Sequence, residues 1–60
     1  MTPSTQANKA RQTIRELMAN GLTDETLLID AAAKSIGGDE AAKMIATMVF
    51  RKYFAVTEPN

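Results

Sequence analysis

The apolar residues of the N-terminal third recur at helical spacing. They fall at Ala7, Ala10, Ile14, Leu17 and Met18. This spacing places them on one stripe roughly 100° wide, which is typical of a helix that packs a single face on a core. Ser4 or Thr5 can cap its first amides, and an Asn-Gly pair that favours a helix end follows. The pattern predicts a first helix over Thr5–Ala19, after a flexible end at residues 1–4.

A second start signal follows in the segment LTDETL. Thr23 can cap the amides of a new helix, and Leu22 and Leu27 stand at the two positions whose apolar side chains often bracket a helix start. The segment that follows carries large apolar residues and three consecutive alanines over an arc of roughly 240°, at 100° per residue. Alanines let neighbouring backbones approach closely. The pattern therefore predicts a central second helix over Asp24–Ile36.

The segment GGDEAA separates the second helix from a third. Its glycines permit a tight turn, and Asp39 can cap the helix that follows. No segment alternates with period two for long enough to form a strand. The sequence therefore predicts an all-α fold, a single compact three-helix domain, with the third helix over Glu40–Ala55 and a flexible end at residues 57–60. The predicted core of one copy comprises Ile14, Leu17, Met18, Leu27, Leu28, Ala32, Ile36, Ile45 and Val49.

The predicted third helix carries more apolar surface than two neighbouring helices can cover. The stripe suited to packing on the first two helices comprises Ala41, Ala42, Ile45, Val49 and Tyr53. Met44 and Met48 form a pair on one flank. Phe50 and Phe54 form a pair on the opposite flank, so large apolar groups cover roughly 280° of the helix circumference. Either both chain ends fold over the excess, or a second chain covers it, and we favour the second chain.

Chain length and composition support a second chain. Sixty residues bury only about 60% of the surface that the unfolded chain exposes, so small domains often need disulfides, metals or oligomerisation. The chain has no Cys and no His, and we expect neither a metal nor another cofactor. Because thioethers and aromatic rings suit interface cores, we expect a homodimer through the third helix. The predicted interface residues are Met44, Met48, Phe50, Arg51, Tyr53 and Phe54.

The residue types argue against catalysis. Nucleophilic and acid-base chemistry usually needs His or Cys beside an orienting group, and helix capping explains the positions of most acidic residues. We therefore expect a small non-enzymatic regulatory or adaptor protein that binds itself and another protein. No apolar run approaches the roughly 18 residues needed to span a bilayer, so we expect a cytoplasmic protein without a membrane partner.

A small DNA-binding transcriptional regulator is the alternative hypothesis. The second and third helices and the turn between them are spaced like a helix-turn-helix. However, Asp39 and Glu40 stand where such a third helix would meet the phosphates, which they repel. Seven basic residues balance seven acidic ones, so no overall charge attracts nucleic acid. The nucleic-acid contacts under this alternative are Lys9, Arg11, Arg15 and Lys43.

The segments IRELMANGLTDETLL and GGDEAAKMI resemble the layout of ubiquitin-associated-type three-helix domains. In that family, a loop with a Gly and a large apolar residue ends the first helix, and a Gly-polar turn begins the third. The resemblance implies a binding patch formed by Gly21, Leu22 and the neighbourhood of Val49 and Phe50. It covers about half of the chain, and Leu22 stands where the family has an aromatic residue. We take from it the three-helix arrangement and assign no family.

Overall fold

The computed structural model describes residues 2–54 and consists of three α-helices. They are α1 (Pro3–Ala19), α2 (Glu25–Ser35) and α3 (Glu40–Tyr53). Each helix packs against the other two, which confirms the predicted all-α three-helix domain. Phe54 is the C-cap of α3. The predicted helical residue Ala55 and the predicted flexible end at residues 57–60 lie outside the described residues.

The first helix begins two residues earlier than predicted. The side-chain oxygen of Thr2 accepts a hydrogen bond from the backbone amide of Thr5 at 3.2 Å, so Thr2 is the N-cap. Pro3 stands at the start of α1, where a missing N–H leaves no helical hydrogen bond unmade. Pro3 and Ser4, which the sequence assigned to a flexible end, therefore lie in the first turn of the helix.

The end of α1 is a Schellman motif. The amide of Leu22 donates to the carbonyl of Leu17 at 3.0 Å, and the amide of Gly21 donates to the carbonyl of Met18 at 3.0 Å. These two bonds satisfy carbonyls that the helix leaves unpaired, and they require a residue with positive φ. Gly21 supplies it with φ 98°. Leu17 and Leu22, the apolar pair of the motif, both pack against the core.

The end of α2 repeats this pattern. The amide of Gly38 donates to the carbonyl of Ala33 at 2.8 Å, and the amide of Gly37 points to the carbonyl of Lys34 at 3.5 Å. Both glycines have positive φ, 130° at Gly37 and 78° at Gly38. The predicted role of this Gly-Gly pair in ending one helix and turning toward the next is confirmed.

Aspartates cap the second and third helices. Asp39 accepts from the amide of Ala42 at 2.8 Å, as predicted, and Asp24 accepts from the amide of Leu27 at 3.2 Å. The predicted cap of the second helix was Thr23, one residue too early. Leu27 therefore does not bracket the helix start, and its side chain is 53% exposed. Its neighbour Leu28 is buried, because successive side chains are about 100° apart around a helix.

Half of the buried core residues are alanines. The buried residues are Ala10, Ile14, Leu28, Ala32, Ala33, Ile36, Ala42, Ala46, Val49 and Phe50. Leu17 and Ile45, both predicted core residues, are partly buried and pack against this cluster. Two further predicted core residues, Met18 and Leu27, are exposed, so their assignment to the core is wrong. Met18 lies in the last turn of α1, beside the chain reversal.

Polar side chains contribute little to the interior. No polar or charged residue is buried within residues 2–54. The amide nitrogen of Gln6 donates to the carbonyl of Ile36 at 3.4 Å, which joins the start of α1 to the end of α2. Asp30 and Lys34 form the i, i+4 ion pair expected from their spacing, at 3.4 Å and exposed to solvent. Such a pair stabilises a helix by only a few tenths of a kcal/mol, about 0.2–0.5.

Candidate interaction surface on the third helix

The face of α3 that packs on the domain differs from the predicted stripe. The buried residues of this helix are Ala42, Ala46, Val49 and Phe50. Ala41 is exposed and the Tyr53 side chain is 50% exposed, although both were predicted to face the core. The packing face is therefore rotated so that Ala46 and Phe50 point inward.

The phenylalanine pair belongs to the domain's own core. Phe50 is only 7% exposed, and Phe54 packs against the core cluster from the end of the helix. Their ring centroids are 6.2 Å apart with the planes tilted by 32°, a separation typical of interacting aromatic pairs. The expectation that two companion helices leave Phe50 uncovered is wrong, and its ring is not available on the surface of one copy.

The methionine pair lies on the outside of α3. Met44 and Met48 are each 66% exposed, the highest values among the exposed large apolar side chains of residues 2–54. They are one turn apart on the same helix face, so their thioethers form a continuous apolar ridge. A contiguous exposed apolar patch marks an interaction site more often than an isolated exposed residue does. Of the two predicted flanks, this is the one that the domain leaves uncovered.

Met48 lies between two surface grooves. The outer groove has a volume of about 510 Å³ and is lined by Glu40, Lys43, Met44, Thr47 and Met48. The inner groove, where α1 meets α3, has a volume of about 570 Å³ and is lined by Ala7, Ile45, Met48, Val49, Arg51, Lys52 and Tyr53. The side chains of another helix can pack into the grooves on either side of such a ridge.

Two residues that line the inner groove, Lys52 and Tyr53, belong to a basic and aromatic cluster. The guanidinium carbon of Arg11 is 5.1 Å from the centroid of the Tyr53 ring, and the ammonium nitrogen of Lys52 is 5.4 Å from it. Both distances are within the range of cation–π attraction. Within residues 2–54 the only ion pair joins Lys34 and Asp30. The cluster therefore presents two positive charges around a half-exposed ring.

The residues proposed for nucleic-acid contact do not form one surface. Arg11 and Arg15 line a shared groove of about 470 Å³ on α1, together with Asn8, Gln12, Glu16 and Ala19. Lys9 stands two residues before Arg11, about 200° around the helix. Lys43 lines the outer groove of α3 beside Glu40. The structure brings Arg11 and Lys52 to the same Tyr53 ring.

Two kinds of site are not found among the described residues. Nowhere in residues 2–54 do three His, Cys, Asp or Glu side chains gather in a group that could hold a metal ion. None of the three helices is both long enough and apolar enough to cross a bilayer.

The patch implied by the resemblance to ubiquitin-associated domains is largely covered in this fold. Val49 and Phe50 are buried, and Leu22 is partly buried against the core. Gly21 is exposed in the turn after α1. No family model matches the sequence, and neither the curated proteins nor the solved structures contain a match to it.

Proposed function

We propose that this chain is a non-enzymatic regulatory or adaptor module that acts by protein–protein binding and forms a homodimer through the outer face of α3. The observation that carries the proposal is the exposed ridge of Met44 and Met48, each 66% exposed on one helix face. The domain covers Phe50 and leaves these two side chains in water, although burying a Met side chain is worth about 1.5–3 kcal/mol.

The chemistry of the ridge suits a protein partner. Thioethers are polarisable and flexible, so they adapt to the irregular relief of a protein surface. Interface cores are enriched in Met and aromatic residues and are often surrounded by a polar rim. Arg51 and Lys43, which line the grooves on the two sides of Met48, supply that rim.

The inner groove is the surface that we assign to a second protein. Tyr53 lines this groove, and Arg11 of α1 lies over its ring, so a homodimer centred on Met44 and Met48 leaves both side chains for a second protein. Tyrosine and arginine are, with tryptophan, enriched at the energetic centres of interfaces. An adaptor needs two such surfaces, one for its own copy and one for a client.

The oligomeric state tests the proposal. We expect sedimentation equilibrium to show a monomer–dimer equilibrium for the unmodified chain, and Met44→Asp and Met48→Asp to shift it to monomer without loss of helical circular dichroism. The matched control is Leu27→Asp, because Leu27 is an exposed leucine on another helix. A chain that remains monomeric at every concentration, or a dimer indifferent to both methionine variants, contradicts the proposal.

DNA binding stays the second candidate, and the convergence of Arg11 and Lys52 on Tyr53 is the observation that favours it. Basic side chains beside aromatic rings are a common arrangement for binding single-stranded nucleic acid, and clustered positive charges also attract the phosphates of a duplex. The test is titration with duplex DNA at low and then rising salt. Phosphate contacts release counterions, so a DNA-binding surface loses affinity log-linearly with salt. In that case Arg11→Gln with Arg15→Gln abolishes binding, and Lys34→Gln, on α2 and outside the proposed contacts, does not.

A further inference from the structure

Opposite charges stand at the two ends of the methionine ridge. Glu40 comes one turn before Met44, and Arg51 comes about one turn after Met48. At 100° per residue these four side chains fall within about 80° of the helix circumference, and all four are exposed. This stripe of α3 therefore runs from an acidic residue through two thioethers to a basic residue, with Lys43 at its edge on the outer groove and Arg51 at its edge on the inner groove.

This order is self-complementary when one helix is reversed against its copy. The midpoint of Met44 and Met48 is at the level of Ala46. Glu40 lies about 9 Å before that level and Arg51 about 7.5 Å after it, at 1.5 Å per residue. A two-fold axis through the midpoint places Met44 of one copy against Met48 of the other. It also places each Glu40 beside an Arg51 of the second copy.

We infer that two copies pair through antiparallel α3 helices, with the methionines in the centre and a Glu40–Arg51 contact at each end. The inference rests on the proposed function and specifies its geometry. The parallel alternative places Glu40 beside Glu40 and Arg51 beside Arg51, and like charges in contact disfavour it. Antiparallel packing also brings the positive N-terminus of each helix close to the negative C-terminus of the other.

The size of the contact determines how strongly the charges matter. The helix has 14 residues and is about 21 Å long, so we expect a contact smaller than the roughly 800 Å² per partner of a standard interface. We expect a dimer that dissociates in the micromolar range. In such a small contact, charges at the rim select the orientation while the methionines supply the apolar area.

A charge swap tests the antiparallel orientation. Glu40→Lys and Arg51→Glu should each raise the dissociation constant, measured by sedimentation equilibrium, by roughly tenfold, because each reversal acts at both ends of the dimer. The double variant should recover most of the lost affinity. Both reversals also oppose the helix dipole of α3. If Glu40 and Arg51 acted only on the stability of α3, the double variant would therefore have the highest dissociation constant of the three variants. Glu25→Lys, an equivalent first-turn change on α2, is the control and should leave dimerisation unchanged.

A second measurement uses the absence of cysteine from the chain. An equimolar mixture of Met44→Cys and Met48→Cys chains should oxidise mainly to the mixed disulfide, detected by mass spectrometry. In a parallel pair, each variant forms a disulfide with its own copy instead. A persistent dimer that forms only these self-linked products, or in which the charge swap restores nothing, overturns the antiparallel orientation and leaves the proposed dimer in place. A wild-type chain that is monomeric removes both.

Discussion

Arg11 on α1 lies over the aromatic ring of Tyr53 on α3, with its guanidinium carbon 5.1 Å from the ring centroid. The contact joins the first helix to the last turn of the third. Lys52 approaches the same ring at 5.4 Å. Two helices and two positive charges therefore meet at this ring, although the Tyr53 side chain is half exposed.

Removing the Tyr53 ring should therefore weaken the packing of α1 on α3. We expect Tyr53→Leu to lower the free energy of unfolding by about 1 kcal/mol, since a cation–π pair at an exposed site contributes about 0.5–1 kcal/mol. Tyr53→Phe keeps the ring and should cost less. Urea unfolding at low protein concentration, followed by circular dichroism, measures both. A double-mutant cycle with Arg11→Met should give a coupling energy clearly different from zero; additive effects would show that the two side chains are independent.

Truncation of Phe50 should destabilise the domain far more than truncation of Met48. Phe50 is 7% exposed and Met48 is 66% exposed. Phe50→Ala should cost about 3–5 kcal/mol, because it removes a buried ring and leaves a cavity. A chain of this length has a total stability of only about 3–9 kcal/mol, so this variant should be largely unfolded. Met48→Ala should change stability by less than about 0.5 kcal/mol in the monomer. Similar unfolding midpoints for the two variants would mean that α3 packs through a different face.

Enlarging an alanine of α3 should cost more stability on the buried side of the helix than on the exposed side. Ala46 is fully buried and Ala41 is exposed. Ala46→Leu forces extra carbon atoms into a packed core and should cost about 1–3 kcal/mol. Ala41→Leu, the matched control on the same helix, should be nearly neutral because both residues are good helix formers. Thermal unfolding of both variants at low concentration compares them. A neutral Ala46→Leu would show that the helices leave unfilled space at this position.

The helix ends were predictable because their chemistry is local. Asp39 needs only the amide of Ala42, three residues along the chain, to act as a cap. Gly21 and Gly37 need only the positive φ that glycine adopts without strain. Two caps shifted, from Ser4 or Thr5 to Thr2 and from Thr23 to Asp24. Neighbouring residues at both helix starts have side chains suited to capping, so the residue type alone does not select one of them.

The orientation of α3 was not predictable from its apolar pattern. That pattern wraps most of the way around the helix, so it specifies no single inward face. The choice depends on how the alanines of all three helices meet, since Ala46 adds little to a hydrophobic pattern and yet is fully buried. For the same reason, the sequence named Met44 and Phe50 as alternative exposed flanks without ranking them. The contact of Arg11 with Tyr53 joins distant parts of the chain, and its only signal in the sequence is the basic character of both segments.

The turn after α1 offers a test of backbone strain alone. Gly21 has φ 98°, and a Cβ atom added there would meet nothing within 4 Å outside its immediate neighbours. Gly21→Ala should therefore lower the free energy of unfolding by about 1–2 kcal/mol through the left-handed conformation and not through a clash. Gly21→Asn should cost less, because Asn tolerates that conformation through local hydrogen bonds. At Gly37 the φ of 130° lies farther from the left-handed helical region, so Asn should bring little relief there. Urea unfolding of the Ala and Asn variants at both positions measures the difference, and equal costs for Ala and Asn at Gly21 would contradict this account of the turn.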